Sequence, residues 1–314
     1  MRISSNAAYG MIGVAAIMWA TSGSFTVLAI DGGASAVQVS VFATVFTAII
    51  LLPLIYLLDK KSIKIEKRDL WPFVAFSLVT GTFFSIAWYV CVDRTGVATA
   101  VILLYLYPSI VTIASIFLLG ERLTSRKIVA LPLTFIGCVL VVGAQEFGEG
   151  LSYDIIGVAL GIYAAFAAAV YYLWGKKFLD KYSANTVILY MTVLSIPGLV
   201  LIANPFNLAT GGITSGAWVY ILAIGLFPGT VGFVLSMAAL NHIEASKASI
   251  VASIEPVAAV LIAAAVLSDT LNTLQVLGVA LVFVGVLLLR ITLKRNGAEK
   301  AVSDRTSSDS LVQD

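Results

Sequence analysis

Residues 246–271 read SKASIVASIEPVAAVLIAAAVLSDTL. From Ala248 to Leu267 the stretch is apolar, and it is about 20 residues long, the length a helix needs to cross a hydrocarbon core. Near its middle stand Glu255 and Pro256. A carboxylate at that depth costs roughly 2.5–3.5 kcal/mol on insertion scales. Proline withdraws a backbone donor and leaves the carbonyl one turn earlier without its partner. One helix therefore carries a charge and a break at the same depth.

The same pattern occurs earlier in the chain. A shift of 148 positions sets Gly81 on Gly229, Thr82 on Thr230, Ala100 on Ala248, Ile102 on Ile250 and Pro108 on Pro256. Further on it sets Leu123 on Leu271, Phe135 on Phe283 and Gly137 on Gly285, with no gap between Gly81 and Leu140. Isolated matches between apolar helices arise by chance. A gapless run over three helices and two loops reads as an internal repeat.

Composition fixes the class. Of 314 residues, 60% are hydrophobic and 11% charged, where a soluble domain has about 25% charged residues. There are too few polar side chains to cover a globular surface, so the chain is a polytopic membrane protein whose first partner is the lipid bilayer. The net charge of +2 is distributed by topology. No basic patch interleaved with aromatics marks a nucleic-acid partner. Cys91 and Cys138 both fall inside predicted helices, with neither zinc-type spacing nor a disulfide framework, and they read as apolar filler.

Apolar runs and polar breaks predict ten helices, over 7–29, 37–58, 70–92, 98–118, 127–144, 154–174, 186–203, 216–239, 247–267 and 274–293. Residues 7–29 are too long for the apolar region of a signal peptide and lack a cleavage site, so they read as the first span. With the N-terminus inside, eighteen of the nineteen Lys and Arg fall in cytoplasmic segments and Arg94 alone lies outside, the bias that orients membrane proteins. Both termini are then cytoplasmic. Helices 3–5 match helices 8–10, so the repeats are helices 1–5 and 6–10. Five is odd, so two such units in sequence lie in opposite orientations. The fold class is an all-α polytopic membrane protein, ten transmembrane helices forming two inverted five-helix repeats. The units are 1–146 and 147–295, followed by a polar tail, 296–314, read as disordered.

This arrangement resembles the EamA-type branch of the drug/metabolite transporter superfamily. The carrying motifs are Pro108 within helix 4, Leu119-Gly120-Glu121 at its end, Glu255-Pro256 in helix 9, and Trp19-Ala-Thr-Ser in helix 1, similar to the family's Trp-Gly-x-Ser with Ala20 for Gly. The second copy departs from the pattern where Ser268-Asp269 stands in place of Gly-Glu. The resemblance spans residues 7 to about 293 and implies a transporter of the cytoplasmic (inner) membrane of a bacterium or archaeon, with a small-molecule substrate and no cofactor.

Transporters with inverted repeats bind substrate near the midplane, at broken helices, which points to Pro108 and Pro256 as helix-breaking residues; the structural alternative is a packing kink. Phe84 and Trp88, four apart on helix 3, share a face, and Ser85 begins the neighbouring pair. Tyr105 and Tyr107 flank Leu106 before Pro108, pointing about 200° apart on a regular helix. The resemblance to aromatic amino acid exporters implies that Phe84, Trp88, Tyr105 and Tyr107 line a central cavity. Trp19 and Ser22, three apart on helix 1, and Tyr163 on helix 6 are further candidates. Glu255 has three readings: a carboxylate satisfied inside the bundle by Ser253, Ser249 or Thr82, a proton-coupling site, or a partner for a substrate ammonium. Ser253 is counted with Glu255 in the binding set. Asp93 and Arg94 could pair at the outer end of helix 3, and Lys247 and Glu244 are expected in solvent at the cytoplasmic mouth. Helices 5 and 10, poor in polar side chains, serve packing or a homodimer contact.

The expectation is a secondary transporter that exports amino acids or related metabolites by alternating access. Alternatives are an uncoupled facilitator or an uptake carrier. A membrane-embedded enzyme fits least, because His242 is the single histidine and no HExxH-like cluster is present. No Walker A sequence indicates ATP drive.

Overall fold

The computed structural model describes residues 4–58, 60–143, 154–203, 208, 211–267 and 272–289. The helices are α1 Ser5–Asp31 and α2 Ala36–Leu58, α3 Lys67–Trp88 and α4 Thr99–Leu119, α5 Ser125–Gly143, α6 Ile155–Leu179 and α7 Ala184–Ala203, and α8 Ser215–Leu240. Then come α9, in two pieces, Ala245–Ala252 (α9a) and Ile254–Leu267 (α9b), and α10 Thr273–Leu289. Among the described residues, the first nine are long and apolar enough to cross a membrane and α10 is a shorter apolar helix. The predicted tail, 296–314, and Ser268-Asp269 lie outside the described residues.

Helix starts follow local chemistry. Ser4, Asp154 and Thr214 accept hydrogen bonds from the backbone N–H groups of Ala7, Gly157 and Ala217 at 3.2, 3.0 and 3.3 Å, satisfying donors that a helix leaves unpaired. Gly120 ends α4 with φ +66°, a left-handed turn that costs glycine little.

The predicted loop between helices 3 and 4 differs in the structure. Helical hydrogen bonding continues from Phe84 to Leu104. Yet a β-carbon at Gly161 would lie 2.9 Å from Cys91 Sγ and 2.6 Å from Leu103 Cδ1. In a straight helix residues twelve apart stand about 18 Å apart. The segment therefore bends back on itself between Cys91 and Leu103. Gly157 and Gly161 of α6 admit this turn, since a β-carbon at Gly157 would fall 3.0 Å from Arg94 Cβ.

The 148-residue offset reappears as geometry. π-Helical segments interrupt α3 at Leu78–Phe83 and α8 at Gly225–Gly232. α4 breaks at Tyr105 and Leu106, leaving the half-helix Tyr107–Leu119 (α4b), and α9 breaks at Ser253. In each case the carbonyl freed by proline, that of Leu104 or Ala252, sits at the break. Gly81 of α3 packs on Ser195 of α7, and Gly229 of α8 packs on Thr47 of α2. Ser195 and Thr47 are themselves 148 positions apart, so each repeat presses the same helix pair onto the other. α5 and α10 meet at glycines, with the Gly137 β-position 2.8 Å from the Gly278 carbonyl and the Gly285 β-position 3.1 Å from that of Ala130. They pack on one another, the close approach small residues permit in membranes.

Of the thirteen described Lys and Arg, twelve lie in or beside the connections α2–α3, α4–α5, α6–α7 and α8–α9, at one end of the bundle. Lys181 joins two of these connections by pairing with Glu66 at 2.7 Å. Arg94 lies at the opposite end.

Candidate functional site

Two broken helices, two π-interrupted helices and α1, α2, α6 and α7 enclose a cavity of about 250 Å³. Many of its wall residues are offset partners: Ala43 and Met191, Thr44 and Thr192, Thr47 and Ser195, Gly81 and Gly229, Tyr107 and Glu255. The cavity therefore lies at the junction of the repeats.

Seven of the ten predicted binding residues line it: Trp19, Ser22, Phe84, Ser85, Trp88, Tyr107 and Glu255. Tyr105, Tyr163 and Ser253 do not. Tyr105 is buried behind the wall, where its hydroxyl donates to Glu255 Oε2 at 3.0 Å. The Tyr163 hydroxyl turns to the Val79 carbonyl at 3.4 Å, a backbone acceptor beside the π-segment. Ser253 is buried at the break of α9, and its carbonyl faces Cys138 Sγ at 3.8 Å. Pro108 and Pro256 are buried at the starts of α4b and α9b.

Glu255 Oε2 thus accepts from a residue outside its expected set. Thr82 Oγ1 donates to the Ser195 carbonyl and Ser249 Oγ to that of Ser246, both at 2.9 Å. The break at Tyr105–Leu106 makes the Tyr105 contact possible. On a regular helix Tyr105 and Tyr107 would diverge; here their ring centroids are 5.7 Å apart.

The rings form a continuous series. Trp19 meets Phe233 at 5.5 Å, Phe233 meets Tyr171 at 5.6 Å, Tyr171 meets Tyr172 at 5.2 Å, and Tyr172 stacks on Tyr107 at 5.6 Å with the planes 3° apart. Tyr105 and Glu255 complete it. Separations of 4.5–7 Å are those aromatic pairs favour. Ser40, Thr44 and Thr47 on α2, Tyr171 and Tyr172 on α6, and Phe233 on α8 also line the wall and were not singled out from the sequence. The offset from Ser85 to Phe233 could have found one of these positions. Tyr171 and Tyr172 sit in a uniformly apolar run and carry no comparable signal. Among the described residues, no three His, Cys, Asp or Glu side chains gather as metal ligands.

The basic end carries an ion cluster that ties two connections together. Lys127, 1% exposed, reaches Glu244 Oε2 at 2.7 Å, Glu121 Oε2 at 3.2 Å and the Arg122 carbonyl at 3.0 Å. Glu121 accepts from the backbone N–H groups of Ala245 and Ser246 at 2.7 and 3.3 Å, and from Ser246 Oγ. The left-handed Gly120 turns the chain so that Glu121 caps the first turn of α9a, favourable charge at a helix N-terminus. Lys247 pairs with Glu244 at 2.7 Å, so these two are engaged in the cluster rather than simply solvated. Burial pushes the Glu244 carboxyl up, but Lys127 and Lys247 more than offset it and hold it below its ordinary range. A cleft of about 640 Å³ opens beside this cluster, between Tyr9, Lys176 and His242. At the other end Arg94 pairs with Asp154 at 2.8 Å; the Asp93 side chain lies outside the described residues. The Gly157 amide and then Arg94 hold the Asp154 carboxyl below its usual range.

Comparison with known proteins decides the family. The EamA-like transporter family matches twice, over residues 6–143 and 155–291. The chain belongs to this family. It is 31% identical over 212 residues to an uncharacterized transporter of Archaeoglobus fulgidus, covering 67% of this chain and 74% of that one. It is 27% identical over 301 residues to the uncharacterized inner membrane transporter YicL of Salmonella typhimurium, covering 91% and 96%. A protein of known crystal structure superposes with a TM-score of 0.79 at 16% identity, over 93% of this chain and 99% of the other; that likeness is one of fold. As an EamA-family chain it is a multi-pass membrane transporter.

Proposed function

We propose that this EamA-family protein is a secondary transporter that exports amino acids or related small metabolites by alternating access, with the basic end and both termini in the cytoplasm. One observation carries the reading: a cavity near the middle of the bundle is lined by helices of both repeats, while the Lys127 cluster ties two connections together at the basic end. Units 1–146 and 147–295 are the bodies that move. Substrate lies against Trp19, Phe84, Trp88 and Tyr107 and is oriented by Ser22, Ser85 and Glu255. Glu255 is also the candidate for proton coupling, since a carboxylate facing a mid-membrane cavity marks a functional pathway by default.

An uncoupled facilitator is the second reading. It is favoured by the Tyr105 hydrogen bond, which supplies a structural use for the carboxylate. Counterflow of labelled amino acids in proteoliposomes, with and without a pH gradient, separates the two. Gradient-driven flux in the wild type that Glu255→Gln loses, while keeping counterflow, supports coupling at Glu255. Equal fluxes in both proteins, indifferent to the gradient, make the protein a facilitator. Absence of amino acid counterflow overturns the substrate reading.

A further inference from the structure

The cavity wall is electrostatically one-sided. Among the described residues that line it, Glu255 is the acid and none is Lys, Arg or His. Tyr105 occupies Glu255 Oε2; Oε1 has no hydrogen-bond partner among the described residues. On the same wall as the carboxylate stand Tyr107 and the Tyr172 ring stacked on it, and the ring series continues away from them through Tyr171 and Phe233 to Trp19; aromatic faces attract cations.

No cationic side chain on the described wall awaits an anion. Broken helices can offer backbone N–H groups to a carboxylate, but here those starts are short of donors. Pro108 and Pro256 have none. The N–H groups of Ser109 and Ile110 are spent on the Leu106 carbonyl at 3.1 and 3.2 Å. A solute carboxylate would meet neutral donors only, among them the unpartnered Trp19 indole N–H and the Ser40, Tyr171 and Tyr172 hydroxyls, with Glu255 as a like charge on the same wall.

We infer that the cavity recognises a protonated amine, held on Glu255 Oε1 and flanked by aromatic faces, and that its preferred solutes are small organic amines without a carboxylate. This rests on the reading of the cavity as the transport site, and it narrows the substrate class from amino acids to compounds that share only their amino group. The volume of about 250 Å³ lies below the 300–1,000 Å³ range of drug-sized pockets and so favours compact solutes.

The test is calorimetric binding to the purified wild-type protein at neutral pH of four solutes that share a phenylethyl unit: phenylalanine, 2-phenylethylamine, 3-phenylpropionate and 2-phenylethanol. Wild-type counterflow of labelled phenylalanine runs in parallel. The expected result is that the amine binds at least about tenfold tighter than phenylalanine and than the alcohol, the scale of one charge-assisted hydrogen bond, with the propionate weakest. Glu255→Gln then loses at least about tenfold for the amine. Phenylalanine binding more tightly than the amine, with counterflow intact, overturns the amine inference and leaves the transport reading standing. An alcohol equal to the amine overturns it too, because recognition would then not use charge. No binding by any of the four and no counterflow overturns both. The ligand series is decisive in the wild type, so the outcome does not depend on whether the Gln variant folds.

Discussion

Replacing Lys127 by Met should open the basic end. The ammonium is 1% exposed and joins Glu121, on the α4–α5 connection, to Glu244, on the α8–α9 connection. Removing one partner of a fully buried pair costs about 3–5 kcal/mol, because the other charge is left unpaired. That figure is an upper bound here. Glu121 keeps its bonds from Ala245, Ser246 and the Ser246 hydroxyl. Glu244 is 40% exposed and keeps Lys247. About 2–3 kcal/mol of the closed arrangement should therefore be lost, a shift of about 30- to 150-fold in the open-to-closed ratio. Hydrogen exchange measured by mass spectrometry in lipid nanodiscs reads this out directly. Amides of 245–250 should exchange at least about tenfold faster in Lys127→Met, while the middle of α7 changes little. Unchanged protection of 245–250 would refute the reasoning, since the cluster would then not hold the two connections together.

Tyr105→Phe keeps the ring stack and removes the hydroxyl from Glu255; a hydrogen bond to a charged group contributes about 1.5–3 kcal/mol, so stability in a mixed-micelle unfolding titration should fall by about that amount, whereas Tyr163→Phe, whose hydroxyl faces a backbone carbonyl, should fall by less. Gly137→Leu would drive a side chain onto the Gly278 carbonyl, 2.8 Å from the β-position, and overpacking of this kind costs about 1–3 kcal/mol; the same titration checks it. Glu66, held low chiefly by the Lys181 hydrogen bond, and Asp154 and Glu244 are all depressed in the folded protein. Depressed carboxylates contribute stability above their unfolded pKa, about 4, and lose it as pH falls through the lower folded value. The thermal midpoint should therefore fall as pH drops from about 6 to about 3, and Asp154→Asn should lower the midpoint at pH 6 and flatten part of that slope.

Helix number, the repeat and the one-sided charge were legible because each leaves a mark that survives in one dimension: length of apolar run, a fixed offset, and Lys or Arg at alternate connections. The offset reached further than its first reading, since Thr47 and Ser195, and Thr44 and Thr192, are offset partners that all line the cavity. The inward faces were harder to read. In a soluble helix polar residues mark the outward face, but in a bilayer lipid and core are both apolar, so Tyr171 and Tyr172 are not distinguished from their neighbours by period. Tyr163 shares α6 with them and points elsewhere. The break before Pro108 altered the expected geometry most, because it turns Tyr105 toward Glu255 instead of into the wall. The Lys127 cluster was missed for a different reason: charges in short connections read as solvated unless the connections are known to meet.

Ala168 lies on the cavity wall, and Ala168→Trp would fill much of a space of about 250 Å³. Solute counterflow in proteoliposomes containing this variant, measured beside wild type at matched incorporation and thermal midpoint, tests whether the cavity is the transport path. Counterflow in the wild type and its loss in the filled variant is the predicted result. Wild-type counterflow that persists unchanged with the cavity filled would contradict the account.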